Sequence, residues 1–219
     1  MSKELSELLS LFKEKKFSLA EKKCLKLIKK IKPNYEVYNI YAVILFELNK
    51  YEDAIKYWKK TIELNPKYHF GYNNLGNVFL KQDKLVEALN CYENAIKIKS
   101  DYYEAYHNKG NVLTKMDDKK NALDSYDKAI KIKNDYLPSL KARNSFYINE
   151  KKHSLAIAEL DKLMIYEPNN IELYIQKADI LTEIGKHQES IEYYQTAYNM
   201  DQNHKFLLGD LIHTKSKIC

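Results

Sequence analysis

The chain has 219 residues, 45% of them apolar and 30% charged, with only five glycines and four prolines. That balance excludes a disordered chain and fits long helical content joined by short turns. The net charge of +6 is uneven: residues 1–34 hold ten lysines against four glutamates, while the remainder balances 26 basic against 26 acidic residues. The basic character therefore belongs to the N-terminal segment, where Lys22, Lys23, Lys26, Lys29 and Lys30 wrap much of one helix and are expected to face water.

The N-terminal stretch MSKELSELLSLFKEKK mixes charges into a short apolar pattern and lacks the apolar core of a signal peptide. No apolar run approaches the about 18 residues that a membrane span needs. The expectation is a soluble, cytoplasmic protein with no membrane contact. Cys24, Cys91 and Cys219 lie far apart without metal-ligand spacing, and the first two are expected to be packing residues. No oxidising compartment is implied, and no cofactor or metal is expected.

Along the chain, two helical patterns separated by a polar step recur every 34 residues, in blocks that begin at Met1, Tyr35, His69, Tyr103, Leu137 and Ile171. A small residue recurs at place 20: Ala20, Ala54, Ala88, Ala122, Ala156 and Ser190. A large one recurs at place 24: Cys24, Trp58, Tyr92, Tyr126, Leu160 and Tyr194. The first block (1–34) departs from the pattern at Glu4 and Glu7 but keeps a stripe of Leu5, Leu8, Leu9 and Phe12, as a terminal copy would. The second (35–68) carries Tyr38, Tyr41, Ala42 and Leu45, and closes on Asn65 and Pro66. The third (69–102) and fourth (103–136) are the most regular. Gly76 and Gly110 sit in mid-helix there, where glycine costs about 1 kcal/mol relative to alanine. That cost implies close approach of the second helix, expected at Ala88 and Ala122. The fifth (137–170) has Pro138 in its first turn. Arg143 and Asn144 stand where Leu and Gly stand elsewhere, so looser packing is expected. The sixth (171–204) carries Tyr174, Ala178, Leu181 and Tyr194, and residues 205–219 start one more first helix, either a cap or the start of a following domain.

Aromatic, Leu-Gly and aromatic residues in the first helix, followed by Ala, aromatic and Ala in the second with Pro66 and Pro168 near the end, resemble the tetratricopeptide repeat family across residues 1–204. The resemblance implies an all-α, right-handed superhelical solenoid of antiparallel helix pairs, six repeats plus a terminal helix. A narrower resemblance lies at the C-terminus. Phe206, Leu207, Leu208, Gly209 and Asp210, then His213, Lys215 and Cys219, look like the junction of O-GlcNAc-transferase-like (SPINDLY-type) glycosyltransferases, where the array passes into the catalytic region.

In the repeat family the first helices usually line a concave groove. The groove residues this implies are Asn73, Asn74, Asn77 and Lys81 in the third repeat and His107, Asn108, Asn111 and Lys115 in the fourth. The fifth adds Lys141, Ser145 and Asn149, and the sixth Gln176, Asp179 and Glu183. An amide offers a donor and an acceptor and pairs with a peptide unit of any sequence. Asn74 and Asn108 also resemble the asparagine ladder of O-GlcNAc transferase, although Ile40, Ala142 and Gln176 interrupt it. The clamp for acidic chaperone tails is not matched, because its basic places hold Asn73, Pro138 and Ala142. Tyrosines at packing and turn places (Tyr68, Tyr102, Tyr136) argue against base stacking and a nucleic-acid partner. No phosphate-cradling loop, metal cluster or nucleophile elbow is present. The expectation is a non-catalytic scaffold for protein or peptide segments, either the substrate-recognition region of such a transferase or a free-standing adaptor or assembly factor.

Overall fold

A computed structural model describes residues 2–30, 32–202, 204 and 207–216. Among the described residues the chain forms thirteen helices and no strand. They form two compact units, residues 1–132 and 133–219. The first holds α1 (Ser2–Lys13), α2 (Phe17–Lys30), α3 (Tyr35–Glu47), α4 (Tyr51–Leu64), α5 (His69–Lys81), α6 (Leu85–Ile98), α7 (Tyr103–Lys115) and α8 (Lys119–Ile132). The second holds α9 (Leu137–Asn149), α10 (His153–Tyr166), α11 (Ile171–Glu183), α12 (His187–Met200) and α13 (Leu207–Ser216). In each unit consecutive helices pack as antiparallel pairs, and each second helix packs on the first helix that follows it, an all-α repeat solenoid.

The turn inside each pair has one geometry. Lys15, Asn49, Asp83, Asp117, Lys151 and Gly185, all at place 15, have left-handed backbone angles. Two bonds close each turn. In the third repeat the Lys84 N–H reaches back to Phe79 O (2.8 Å) and the Asp83 N–H to Leu80 O (3.1 Å), a Schellman motif that satisfies the last carbonyls of the first helix. The same two bonds recur from Lys16 to Leu11 (2.9 Å) through Lys186 to Leu181 (2.8 Å). Asn34 caps α3, accepting from the N–H groups of Glu36 (2.9 Å) and Val37 (3.1 Å).

The small place-20 residues Ala20, Ala54, Ala88, Ala122, Ala156 and Ser190 are fully buried, so the helices of each pair approach closely. The glycines have a different partner from the one their position suggested. A Cβ on Gly76 would lie 2.7 Å from Cε1 of Tyr92, and one on Gly110 2.5 Å from Cε1 of Tyr126. The place-24 ring, not Ala88 or Ala122, fills the space that glycine leaves. In the sixth repeat Ala178 accompanies Tyr194, both buried.

The fifth repeat is not loosely packed. Leu140, Leu160 and Leu163 are buried, and Arg143 binds the buried Glu159 carboxylate through Nη2 (2.8 and 2.9 Å) and Nε (3.2 Å). The ammonium of Lys177 on α11 is held by Asp161 of α10 and by the Tyr193 hydroxyl. Polar substitutions at this place have thus exchanged apolar packing for paired charges, which is tolerable only because each is bonded. Lys22, Lys23, Lys26, Lys29 and Lys30 are exposed on α2, and Lys23 pairs with Glu7 (2.6 Å). Cys24 and Cys91 are buried, and burial pushes their thiols up to about 12 and about 11, so neither is a ready thiolate. Phe206 and Cys219 of the C-terminal resemblance lie outside the described residues. The part between them includes α13, which packs on α12.

Two outcomes test this packing in urea melts. Gly76→Leu should cost on the order of 1–3 kcal/mol by overpacking, and in a double-mutant cycle that cost should shrink when Tyr92 is already alanine. A Gly76→Leu cost as large in the Tyr92→Ala background as in wild type would refute the ring as the partner. Lys151→Gly should stabilise by roughly 0.5–1 kcal/mol, because it relieves the left-handed backbone of Lys151 and removes only a solvent-exposed ion pair with Glu183.

Candidate functional site

The first-helix face of the first unit carries a bonded row of amides. On α5 and α7 the residues at places 5, 6 and 9 are Asn73, Asn74 and Asn77, then His107, Asn108 and Asn111. Helical spacing puts each trio on one side of its helix. Asn108 Nδ2 donates to Asn73 Oδ1 (3.0 Å) and Asn77 Oδ1 (3.3 Å) of the preceding repeat. Asn74 Nδ2 donates back in the same way to Asn39 Oδ1 (3.3 Å). Asn73 is only 6% exposed, so it holds Asn108 in place more than it faces outward.

The second helices fix the other end of this row. The Tyr92 hydroxyl donates to Asn77 Oδ1 (2.8 Å) and the Tyr126 hydroxyl to Asn111 Oδ1 (2.9 Å), in each case across fifteen residues. The second repeat has Trp58 in place of the tyrosine, and its Nε1–H donates to Asn39 Oδ1 (3.0 Å). The amides are therefore oriented. Asn74 and Asn108 commit their NH2 groups, while Asn77 and Asn111 commit their oxygens. Asn39, Trp58, Tyr92 and Tyr126 belong to the arrangement, although periodicity marks the three rings only as packing residues and gives no role to Asn39. For Tyr92 and Tyr126 the signal is the constant spacing between places 9 and 24; Trp58 meets Asn39 at place 5 and carries no such signal.

His107 closes the fourth-repeat cluster. Asn111 uses its Oδ1 on Tyr126, so its Nδ2 is the end that faces His107 Nε2, 3.1 Å away. Nε2 must then be the acceptor, and the neutral ring carries its proton on Nδ1. Burial also pushes this imidazole below its ordinary pKa. Lys81 is exposed at the end of α5, and Lys115 pairs with Asp83 (3.1 Å) in the turn of the preceding repeat, both side chains in solvent. Such a pair adds little.

The second unit has a different face. Lys141 is drawn to Glu167 (2.7 Å), and Ser145 and Asn149 are exposed on α9. The face of α11 carries Gln176, Asp179 and Glu183, and the Tyr194 hydroxyl donates to Asp179 as its counterparts do to asparagine. No group of three or more His, Cys, Asp or Glu among the described residues is placed to hold a metal ion. No described helix is long and apolar enough to cross a membrane.

The His107 bond has a pH signature. Protonation must break the contact from Asn111, so its contribution is present above the ordinary imidazole pKa and is lost as the pH falls through the lowered native value. His69, lowered first by burial and then by Lys99, acts in the same direction. Stability should fall on acidification below about pH 6.5. His107→Gln, which keeps an acceptor for Asn111, should flatten part of that slope in denaturant melts; a slope identical to wild type would remove His107 from the account.

Family models for the tetratricopeptide repeat match residues 43–83, 70–102, 103–136 and 171–204, together more than half of the chain. No curated protein sequence matches it. Among solved structures, the C-terminal part of a TPR repeat-containing protein from Cytophaga hutchinsonii superposes with a TM-score of 0.79 at 19% identity, over 97% of this chain and 85% of that one. Pseudomonas aeruginosa pilF gives a TM-score of 0.78 at 12% identity, over 99% and 96%. YrrB, described as a TPR protein with an unusual peptide-binding site, gives 0.67 at 19% identity, over 85% and 96%. These likenesses carry the fold. With the 34-residue phase, the Ala-lined helix pairs and the repeat-model matches, they show that this chain belongs to the tetratricopeptide repeat family.

Proposed function

We propose that the chain is a non-catalytic protein-interaction scaffold whose first-helix face, in the third and fourth repeats, holds an extended segment of a partner protein. The observation that carries this reading is the oriented amide row. Asn74 and Asn108 spend their NH2 groups on the preceding repeat, which leaves carbonyl oxygens for the N–H groups of a guest. Asn77 spends its oxygen on Tyr92 and Asn108, which leaves its NH2 for a guest carbonyl. An extended chain offers one donor and one acceptor per residue. Amides held in a fixed order suit that backbone whatever its side chains, and orienting them beforehand lowers the cost of binding. The peptide-binding site named for YrrB is in keeping with this use of the fold.

The resemblance running from Phe206 to Cys219 supports a narrower setting, the substrate-recognition region of an O-GlcNAc-transferase-like glycosyltransferase. A free-standing adaptor or assembly factor is the alternative. Reading the transcript beyond Cys219 separates them: several hundred further residues opening near an Asp-Trp pair favour the transferase, and an immediate stop favours the adaptor.

Segments captured by the wild-type protein and mapped by cross-linking supply the ligand for a direct test. The Asn74→Ala, Asn108→Ala double variant should bind such a segment about tenfold more weakly while keeping a cooperative melt. Equal affinity in fluorescence anisotropy would overturn the amide row as the contact.

A further inference from the structure

On α11 of the second unit an aspartate, Asp179, takes the place that Asn77 and Asn111 hold in the first. Glu172, Gln176, Asp179 and Glu183 follow one another on α11 at helical spacing and share one side of it. Both ends of the Gln176 amide are committed: its Oε1 accepts from Asn144 Nδ2 (3.3 Å), and its Nε2 donates to Glu172 Oε1 (3.4 Å). Asn144, on α9, is 3% exposed, and its Oδ1 has no hydrogen-bond partner. Its bond to Gln176 puts that carboxamide at the floor of the face.

The neighbouring places explain why this acceptor is unmet. In the third, fourth and sixth repeats a tyrosine hydroxyl from the second helix donates to the face, at Asn77, Asn111 and Asp179. In the fifth repeat that residue is Leu160, which has no donor, and Asn144 occupies the place of Gly76 and Gly110. Arg143 pairs with Glu159, Lys177 with Asp161 and Tyr193, and Lys141 with Glu167, while Lys151 (3.6 Å) and the His153 ring (3.9 Å) lie against Glu183 at the far end of the face. The face therefore combines a buried unmet acceptor with the exposed carboxylate of Glu172, beside Asp179, which the Tyr194 hydroxyl already engages. An unsatisfied buried polar group lowers stability, and an apolar residue of similar shape would not.

We propose that this face binds a basic side chain, an arginine by preference, projecting from a partner segment. A guanidinium has five N–H donors and no acceptor, in a planar fork that can bond Asn144 Oδ1 and the Glu172 carboxylate together. The ammonium of lysine supplies the charge without the fork. The proposal rests on the reading that first-helix faces contact partner segments, and it assigns a side-chain class to the second unit.

The test uses the 219-residue protein with tetra-arginine as probe and tetra-citrulline as its uncharged counterpart, titrated in a calorimeter. Tetra-arginine should bind at least about tenfold more tightly, with affinity falling as salt is raised. Glu172→Gln, at an exposed position, should weaken tetra-arginine about fivefold to tenfold without affecting folding. Asn144→Leu should weaken it similarly while raising the melting temperature. If the Asn144 acceptor serves only an internal water, Asn144→Leu will change stability and leave affinity as it was. That result, or equal binding of the two peptides, would overturn the proposal. The Asn74→Ala, Asn108→Ala variant should bind tetra-arginine as wild type does. Loss of partner segments by that variant with no binding of tetra-arginine by wild type would overturn the arginine site alone, leaving the amide row standing.

Discussion

The ring that the second helix of a repeat presses against its first helix is the contact on which the rest depends. Tyr92 lies over Gly76 and Tyr126 over Gly110 so closely that a Cβ would collide with the ring. The ring reaches through the pair because glycine gives way, and its hydroxyl emerges on the far side to bond Asn77 or Asn111. One side chain thus performs two tasks. Its apolar body fills the space between helices, and its polar tip orients the surface beyond. The mid-helix glycine, unfavourable by propensity, is offset by that contact.

The same link explains why the faces of successive repeats differ. Where the ring is Trp58, its shorter polar reach meets Asn39, one turn earlier than place 9. Where it is Leu160, nothing reaches the face, and the polar Asn144 occupies the glycine place with one end of its amide unmet. The core residue at place 24 and the surface chemistry of its repeat are therefore not independent choices. A change at place 24 alters which amide atoms remain for a partner without touching any surface residue.

Charge takes over part of the packing at place 7. Leu75 fills that place with carbon, whereas Lys109 pairs with Glu93 (2.6 Å) and Arg143 with the buried Glu159. The apolar place ties a repeat together without direction. Arg143 does so only in a single register, since a shift of a residue would leave the buried Glu159 carboxylate unpaired, whereas Glu93 is half exposed and its pair with Lys109 constrains less. Repeats with such pairs can thus diverge from the repeat pattern in sequence and still stack with their neighbours.

The helices and their phase were legible in the sequence, because a stack of identical pairs forces the same small residue to recur at the same helical contact. Ala88, Ala122 and Ala156 announce it without any structure. The turns were legible only as polar breaks; that Lys15 or Lys151 takes a left-handed angle follows from closing the Schellman bonds, not from the residue type. The surface asparagines could be placed by periodicity, and their membership of one face with them. Which atom of each amide is free could not, since it is decided by donors and acceptors 15 or about 34 positions away in sequence that come into hydrogen-bond range only after folding. The partner of each glycine was illegible for the same reason: periodicity indicates which side of a helix is buried, and only side chains in three dimensions determine what is buried there.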